Sequence, residues 1–128
     1  MKLLLDTHIA LWAITDDPKL PQSVVSLIMS PNNEIIVSVA SIWEISIKHS
    51  LGRRSMPVSG NEALGYFQEA GYRLLSVTAE HAAYVDTLPP IHADPFDRIL
   101  IAQAICEPMR LITHDALLSE YGELVMVV

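Results

Sequence analysis

The side chains of this chain that could do chemistry are carboxylates set at the edges of apolar stretches. Asp94-Pro95-Phe96-Asp97-Arg98-Ile99-Leu100-Ile101-Ala102-Gln103-Ala104 places two acids at the mouth of a nearly all-apolar segment. Met1-Lys2-Leu3-Leu4-Leu5-Asp6-Thr7 is an apolar run closing on Asp6, and Leu111-Ile112-Thr113-His114-Asp115 repeats that form. Ile42-Trp43-Glu44-Ile45-Ser46-Ile47 puts Glu44 inside a third apolar stretch. An ionised carboxylate costs several kcal/mol to bury unless something neutralises it, and few cations lie near these acids in sequence. A shared metal ion would neutralise them. An all-oxygen set suits hard cations, Mg2+ or Mn2+, rather than zinc or copper. In phosphodiester cleavage such ions lower the pKa of a bound water, orient the phosphate and stabilise the leaving oxygen.

The elements that must position these acids follow from periodicity and punctuation. Residues 2–5 read as a buried strand and His8–Ile14 as a helix carrying Ile9, Leu11 and Trp12. Pro21 opens a second helix that ends before Pro31, and Ile35-Ile36-Val37 is a β-branched strand followed by a helix from about Val39 to Ser50. Ser59-Gly60-Asn61-Glu62 has the spacing of a capping box and starts a helix ending at Gly71. A strand over Arg73–Val77, a helix capped by Thr78 and stopped by Pro89-Pro90, and the long helix Asp94–Cys106 come next. A strand at Arg110–Thr113, a short helix from Ala116 and a strand at Leu124–Val128 complete the order.

Strands and helices alternate throughout, which predicts α/β architecture, a parallel sheet with helices on both faces, in one domain over residues 1–128. In such sheets ligands bind beyond the carboxyl ends of the strands. Asp6 and Asp115 fall at strand ends. Asp97 falls in the first turn of a helix running back, with Asp94 as its N-cap, and Glu44 lies about a turn into its own helix. The topology therefore gathers Asp6, Glu44, Asp97 and Asp115 at one crevice. Thr7 and Thr113 stand where each would hydrogen-bond a carboxylate or a bound water, or cap an element. Arg98 is expected near the site mouth, where it meets a phosphate or pairs with an acid.

Composition narrows the function classes. A chain of 128 residues is long enough to bury roughly 68% of its unfolded surface. Fifteen acids against eight bases give a net charge of −7, which argues against nonspecific nucleic-acid binding through a basic face unless metals supply the positive charge. The local basic cluster is Lys48 with Arg53 and Arg54, read either as a solvated loop or as a phosphate-backbone contact. A single cysteine, Cys106, excludes an internal disulfide and a cysteine zinc cluster. The longest apolar region, Ile35 to Ile47, is too short for a membrane span, and the amino terminus lacks the basic region and cleavage site of a signal peptide; a cytoplasmic location is the expectation. A serine hydrolase lacks its glycine-flanked serine turn here, and no glycine-rich phosphate loop is present.

Leu4-Leu5-Asp6-Thr7-His8, Ser41-Ile42-Trp43-Glu44-Ile45, Asp94-Pro95-Phe96-Asp97-Arg98-Ile99-Leu100-Ile101-Ala102-Gln103-Ala104 and Leu111-Ile112-Thr113-His114-Asp115 together resemble the motifs of the PIN domain, in particular the VapC-type toxins of prokaryotic toxin–antitoxin pairs. The similarity runs from residue 2 nearly to the end. The resemblance implies a three-layer α/β/α sandwich and Mg2+- or Mn2+-dependent endoribonuclease activity, with Asp6 and Asp97 as principal metal ligands and Glu44 and Asp115 completing the acidic site directly or through water. It also implies an RNA substrate, a cognate antitoxin that covers or distorts the active site, and a homodimer. Asp94 matches an acid of the subgroup bearing Asp-Pro-Phe-Asp-Arg, a supporting role beside its capping one. His114 stands where many relatives have arginine, asparagine or a small residue.

Other residues have simpler readings. His8 follows a candidate ligand and is placed to touch substrate, whereas His49, His81 and His92 read as surface or helix-end residues. Trp12 and Trp43 read as core, and the apolar helices over residues 21–50 serve equally as core or as partner surface. A rival of another class is a noncatalytic α/β metal-binding or interaction module. A nearer rival is a PIN-like nuclease outside toxin–antitoxin biology.

Overall fold

The computed structural model of the chain describes residues 1–54 and 56–128. The elements run β1 (Lys2–Leu5), α1 (Thr7–Ile14), α2 (Gln22–Met29), β2 (Glu34–Ser38), α3 (Val39–Ser50), α4 (Gly60–Glu69), β3 (Arg73–Leu75), α5 (Ala79–Tyr84), α6 (Pro95–Cys106), β4 (Arg110–Thr113) and β5 (Val125–Val127). Short 3-10 turns cover Val85–Thr87 and Ala116–Tyr121. The strands pair in the order β3-β2-β1-β4-β5, every pairing parallel. Strand order reverses between β1 and β4, and that is where a parallel sheet opens a crevice beyond its carboxyl ends.

Alternation along β1 divides the core in two. Leu3 and Leu5 point to one face with Ile9 and Ala10 of α1, Val24 of α2, Ile45 of α3, and Ala63 and Phe67 of α4. Leu4 points to the other with Leu100, Ile101 and Ala104 of α6 and Leu118. Helices on both faces of one parallel sheet make the three-layer sandwich that the sequence pattern predicts. Leucines 3, 4 and 5 are each 0% exposed, as expected for a strand covered on both sides.

Some boundaries differ from the sequence reading. The third strand ends at Leu75 rather than Val77, because Val37↔Leu74 and Ser38↔Leu75 are its last register partners on β2. The short helix expected from Ala116 is of the 3-10 type and ends before Gly122, whose φ of 129° is open to glycine alone without strain. The first helix starts at Thr7 because Asp6 is its cap, accepting the Ile9 N–H at 2.9 Å.

Candidate functional site

Asp6 leaves β1 at its carboxyl end and is 5% exposed. Its Oδ1 caps α1 and its Oδ2 accepts the Thr113 hydroxyl at 2.5 Å, from the end of β4. Burial pushes the Asp6 pKa up and Glu44 adds to the rise, while the Thr113 and Ile9 donors oppose it. The Thr113 oxygen in turn accepts the Asp115 N–H at 3.1 Å, so one hydroxyl ties both strand ends together.

Asp97 enters from the far side. Pro95 opens α6, and the Asp94 carboxylate accepts the Phe96 and Asp97 N–H groups at 2.8 and 3.3 Å, which aims the first turn at the crevice. The Asp97 pKa is raised to about 7, first by burial and then by the charges of Asp94, Asp6 and Glu44, with His92 acting the other way. Among the described residues no lysine or arginine pairs with Asp97; its nearest ionic neighbour is His92 Nε2 at 3.5 Å.

A cleft of about 400 Å³ opens over these groups, lined by Asp6, His8, Trp12, His92, Asp94, Asp97, His114 and Asp115. A ring nitrogen of His92 and one carboxylate oxygen each from Asp97 and Asp115 lie within 4.8 Å of one another. Trp12 packs edge-on against His114 at 5.4 Å between ring centroids and forms an aromatic wall on one side. The cleft therefore concentrates negative charge in a half-buried space, which suits a hard divalent cation.

A PIN domain model matches residues 3–124 of the sequence. The chain belongs to the PIN-domain family. No curated protein matches it in sequence. Among solved structures it resembles VapBC2 from Rickettsia felis bound to a promoter DNA fragment, with a TM-score of 0.72 at 18% identity, covering 100% of this chain and 98% of that one. It also resembles VapBC-1 from nontypeable Haemophilus influenzae, with a TM-score of 0.63 at 20% identity and coverage of 94% and 92%. A toxin-antitoxin complex from Klebsiella pneumoniae gives a TM-score of 0.65 at 17% identity, covering 98% and 96%.

This PIN domain brings Asp6, Asp97 and Asp115 to one cleft, with Asp94 beside them. Glu44 is buried and feels the same field, but its Oε2 is paired with Lys48 at 2.6 Å. Lys48, expected in a solvated loop or at a phosphate backbone, is one of the few cations near these acids in sequence and neutralises Glu44 from one helical turn on. Thr113 bonds a carboxylate, whereas Thr7 donates to Ser41 Oγ at 2.9 Å and joins α1 to α3 instead.

Arg98 needs a larger correction. Among the described residues it meets no acid, because its guanidinium is consumed by the Pro89 and Val85 carbonyls, the Tyr121 hydroxyl and the His92 carbonyl at 3.0 to 3.5 Å. It clamps the loop before α6. Arg53 and Arg54 are exposed on the loop after α3 and do not line the cleft. His114 does line it, with Nδ1 2.7 Å from the Val128 carbonyl.

Two histidines and one tryptophan also depart from the sequence reading. His92 is a cleft residue. Its position between Pro89-Pro90 and the Asp94 cap left little chain in which to stray from the helix mouth, and that short spacing was the available signal. His81 caps α5 as a helix-end residue, but it is 0% exposed and bonds Glu107 at 2.7 Å. Trp43 is 62% exposed, not core, and stands edge-on to Phe96 at 5.3 Å.

Proposed function

We propose that this PIN domain is a VapC-type toxin, a metal-dependent endoribonuclease that cleaves RNA phosphodiester bonds in the Asp6–Asp97–Asp115 cleft. The observation that carries the reading is the gathering of Asp6, Asp94, Asp97 and Asp115 around one cleft, where among the described residues no lysine or arginine pairs with Asp97 and burial with its acidic neighbours raises its pKa to about 7. Such a cluster destabilises the fold on its own and becomes favourable when a cation enters. Asp6 and Asp97 would hold Mg2+ or Mn2+, with Glu44 and Asp115 contributing directly or through water. When bound, the ion supplies an activated water and charge neutralisation at the phosphate.

The chain's own residues do the rest. Thr113 and the Ile9 amide fix both oxygens of Asp6, and the Asp94 cap fixes the backbone that carries Asp97, so the acids reach a bound ion already oriented. His8, Trp12 and His114 line the same cleft and would meet a bound nucleotide there.

Partners follow the same family reading. The similar Rickettsia, Haemophilus and Klebsiella proteins are toxin-antitoxin or VapBC assemblies, which supports a cognate antitoxin for this chain. An apolar groove lined by Val39, Trp43, Val77, Val85, Phe96 and Ile99 among others opens beside α6 and supports a homodimer. No helix among the described residues is long and apolar enough to cross a membrane, in keeping with a cytoplasmic enzyme.

The test is incubation of the purified protein with end-labelled RNA and single-stranded DNA in Mg2+, Mn2+ or chelator, paired with growth on induced expression. RNA fragments that require metal, with growth arrest, are expected. Fragments without growth arrest would indicate a PIN nuclease outside toxin–antitoxin biology. Thermal stabilisation by metal with no cutting of either polymer would identify a noncatalytic metal-binding module.

A further inference from the structure

His92 Nε2 lies close enough to Asp97 and Asp115 to look like a third ligand for the ion. The other ring nitrogen decides otherwise. The Asp94 backbone N–H points at Nδ1 from 3.0 Å, so Nδ1 is an acceptor and the proton of a neutral imidazole resides on Nε2. That Nε2–H faces Asp115 Oδ2 at 2.9 Å. Turning the ring over would put carbon atoms at both contacts and lose both bonds. Coordination through Nε2 would move the proton to Nδ1, directly against the Asp94 amide hydrogen.

We propose that His92 is a positioning residue, holding Asp115 as a hydrogen-bond donor rather than binding the ion. Its own placement is secured at the backbone. The His92 N–H donates to the Tyr121 hydroxyl at 3.1 Å, and Arg98 donates to that hydroxyl at 3.2 Å as well as to the carbonyls of Val85 and Pro89. Asp115 is then held on both oxygens, Oδ1 by the Leu117 N–H at 3.0 Å and Oδ2 by His92. The chain Arg98–Tyr121–His92–Asp115 thus sets the orientation of an acid that, among the described residues, no lysine or arginine pairs with.

The inference rests on the nuclease reading for its consequence but not for its geometry, so two measurements separate them. Imidazole 1H–15N NMR of the whole protein, with His92 assigned by its absence in His92→Gln, should show the Nε2–H form both before and after Mg2+ is added. Loss of the Nε2 proton on adding Mg2+, or an Nδ1–H form at the outset, overturns the proposal whatever the activity. In RNA cleavage at saturating Mg2+, His92→Ala should lose roughly ten- to hundredfold in rate, with added metal recovering none of it, and His92→Gln should restore most of it through its amide N–H. A deficit in His92→Ala that rising Mg2+ erases, or no deficit at all, also overturns it. A wild-type protein inert toward RNA in every metal fails the nuclease reading alone, and the imidazole spectra still decide the histidine.

Discussion

Asp97 binds a proton in the folded protein that the unfolded chain has already released, because its pKa rises from 3.8 to about 7. The folded state therefore holds more protons between about pH 4 and pH 7, and metal-free stability falls as pH rises through that window and levels off above it. Asp6 is shifted in the same direction. Glu62 and Glu80 are lowered and act only below about their ordinary value of 4.5, outside most of this range. Thermal melts in chelator from about pH 5 to about pH 8 should show a declining midpoint, and Asp97→Asn should flatten much of the decline while raising the midpoint at the alkaline end. A wild-type midpoint that climbs with pH would contradict the charge assignment. Thr113→Val tests the next residue along. It removes the donor to Asp6 Oδ2 at nearly constant volume, and cleavage or metal affinity should drop roughly ten- to hundredfold, with Thr113→Ser close to wild type.

At the scale of elements, the acids were legible because each is tied to a boundary that sequence marks clearly. Asp6 ends a leucine run, Asp94-Pro95 opens a helix, and Asp115 follows a second apolar strand; caps and strand ends are local chemistry, and parallel topology then brings them together. Lys48 against Glu44 is equally local, at one helical turn. The clamp by Arg98 and the burial of His81 were not legible, since each depends on partners such as Tyr121 and Glu107 that lie 23 and 26 residues away. Packing of α3 on α4 offers a test at this scale. A Cβ on Gly60 would sit 1.8 Å from Ser46 Oγ and 3.0 Å from Ser46 Cβ, so a methyl there forces the Ser46 hydroxyl off the Ile42 carbonyl and pushes on the helix behind it. Gly60→Ala should destabilise the protein by about 1–3 kcal/mol in urea unfolding, and Ser46→Gly in the same chain should recover most of that. A neutral Gly60→Ala would mean the helices separate more freely than their contact implies.

For the whole molecule, fold and surface carry different amounts of information in the sequence. The alternating strands and helices specify the sandwich because a parallel sheet must be covered on both faces. Hydropathy alone could not say which apolar residues stay outside. Trp43, Val39 and Ile47 of α3 are exposed, and Trp43 with Phe96 lines the apolar groove. If that groove seats a second copy, Trp43→Glu should convert a dimer to a monomer in light scattering while leaving the circular dichroism spectrum intact. A wild-type monomer at working concentration would remove the homodimer from the account. The net charge of −7 also takes its place at this scale, since an acidic molecule with RNA as its proposed substrate needs cations at its cleft.

Mn2+ binding measured by titration calorimetry, on wild-type protein and on Asp97→Asn at about pH 6, shows whether the converging acids form a divalent-ion site. A divalent-ion site at Asp97 predicts saturable binding by the wild type, with proton release from the raised carboxyls, and its loss in a variant that keeps the fold. Equal binding by the two proteins, or none by the wild type, would contradict it.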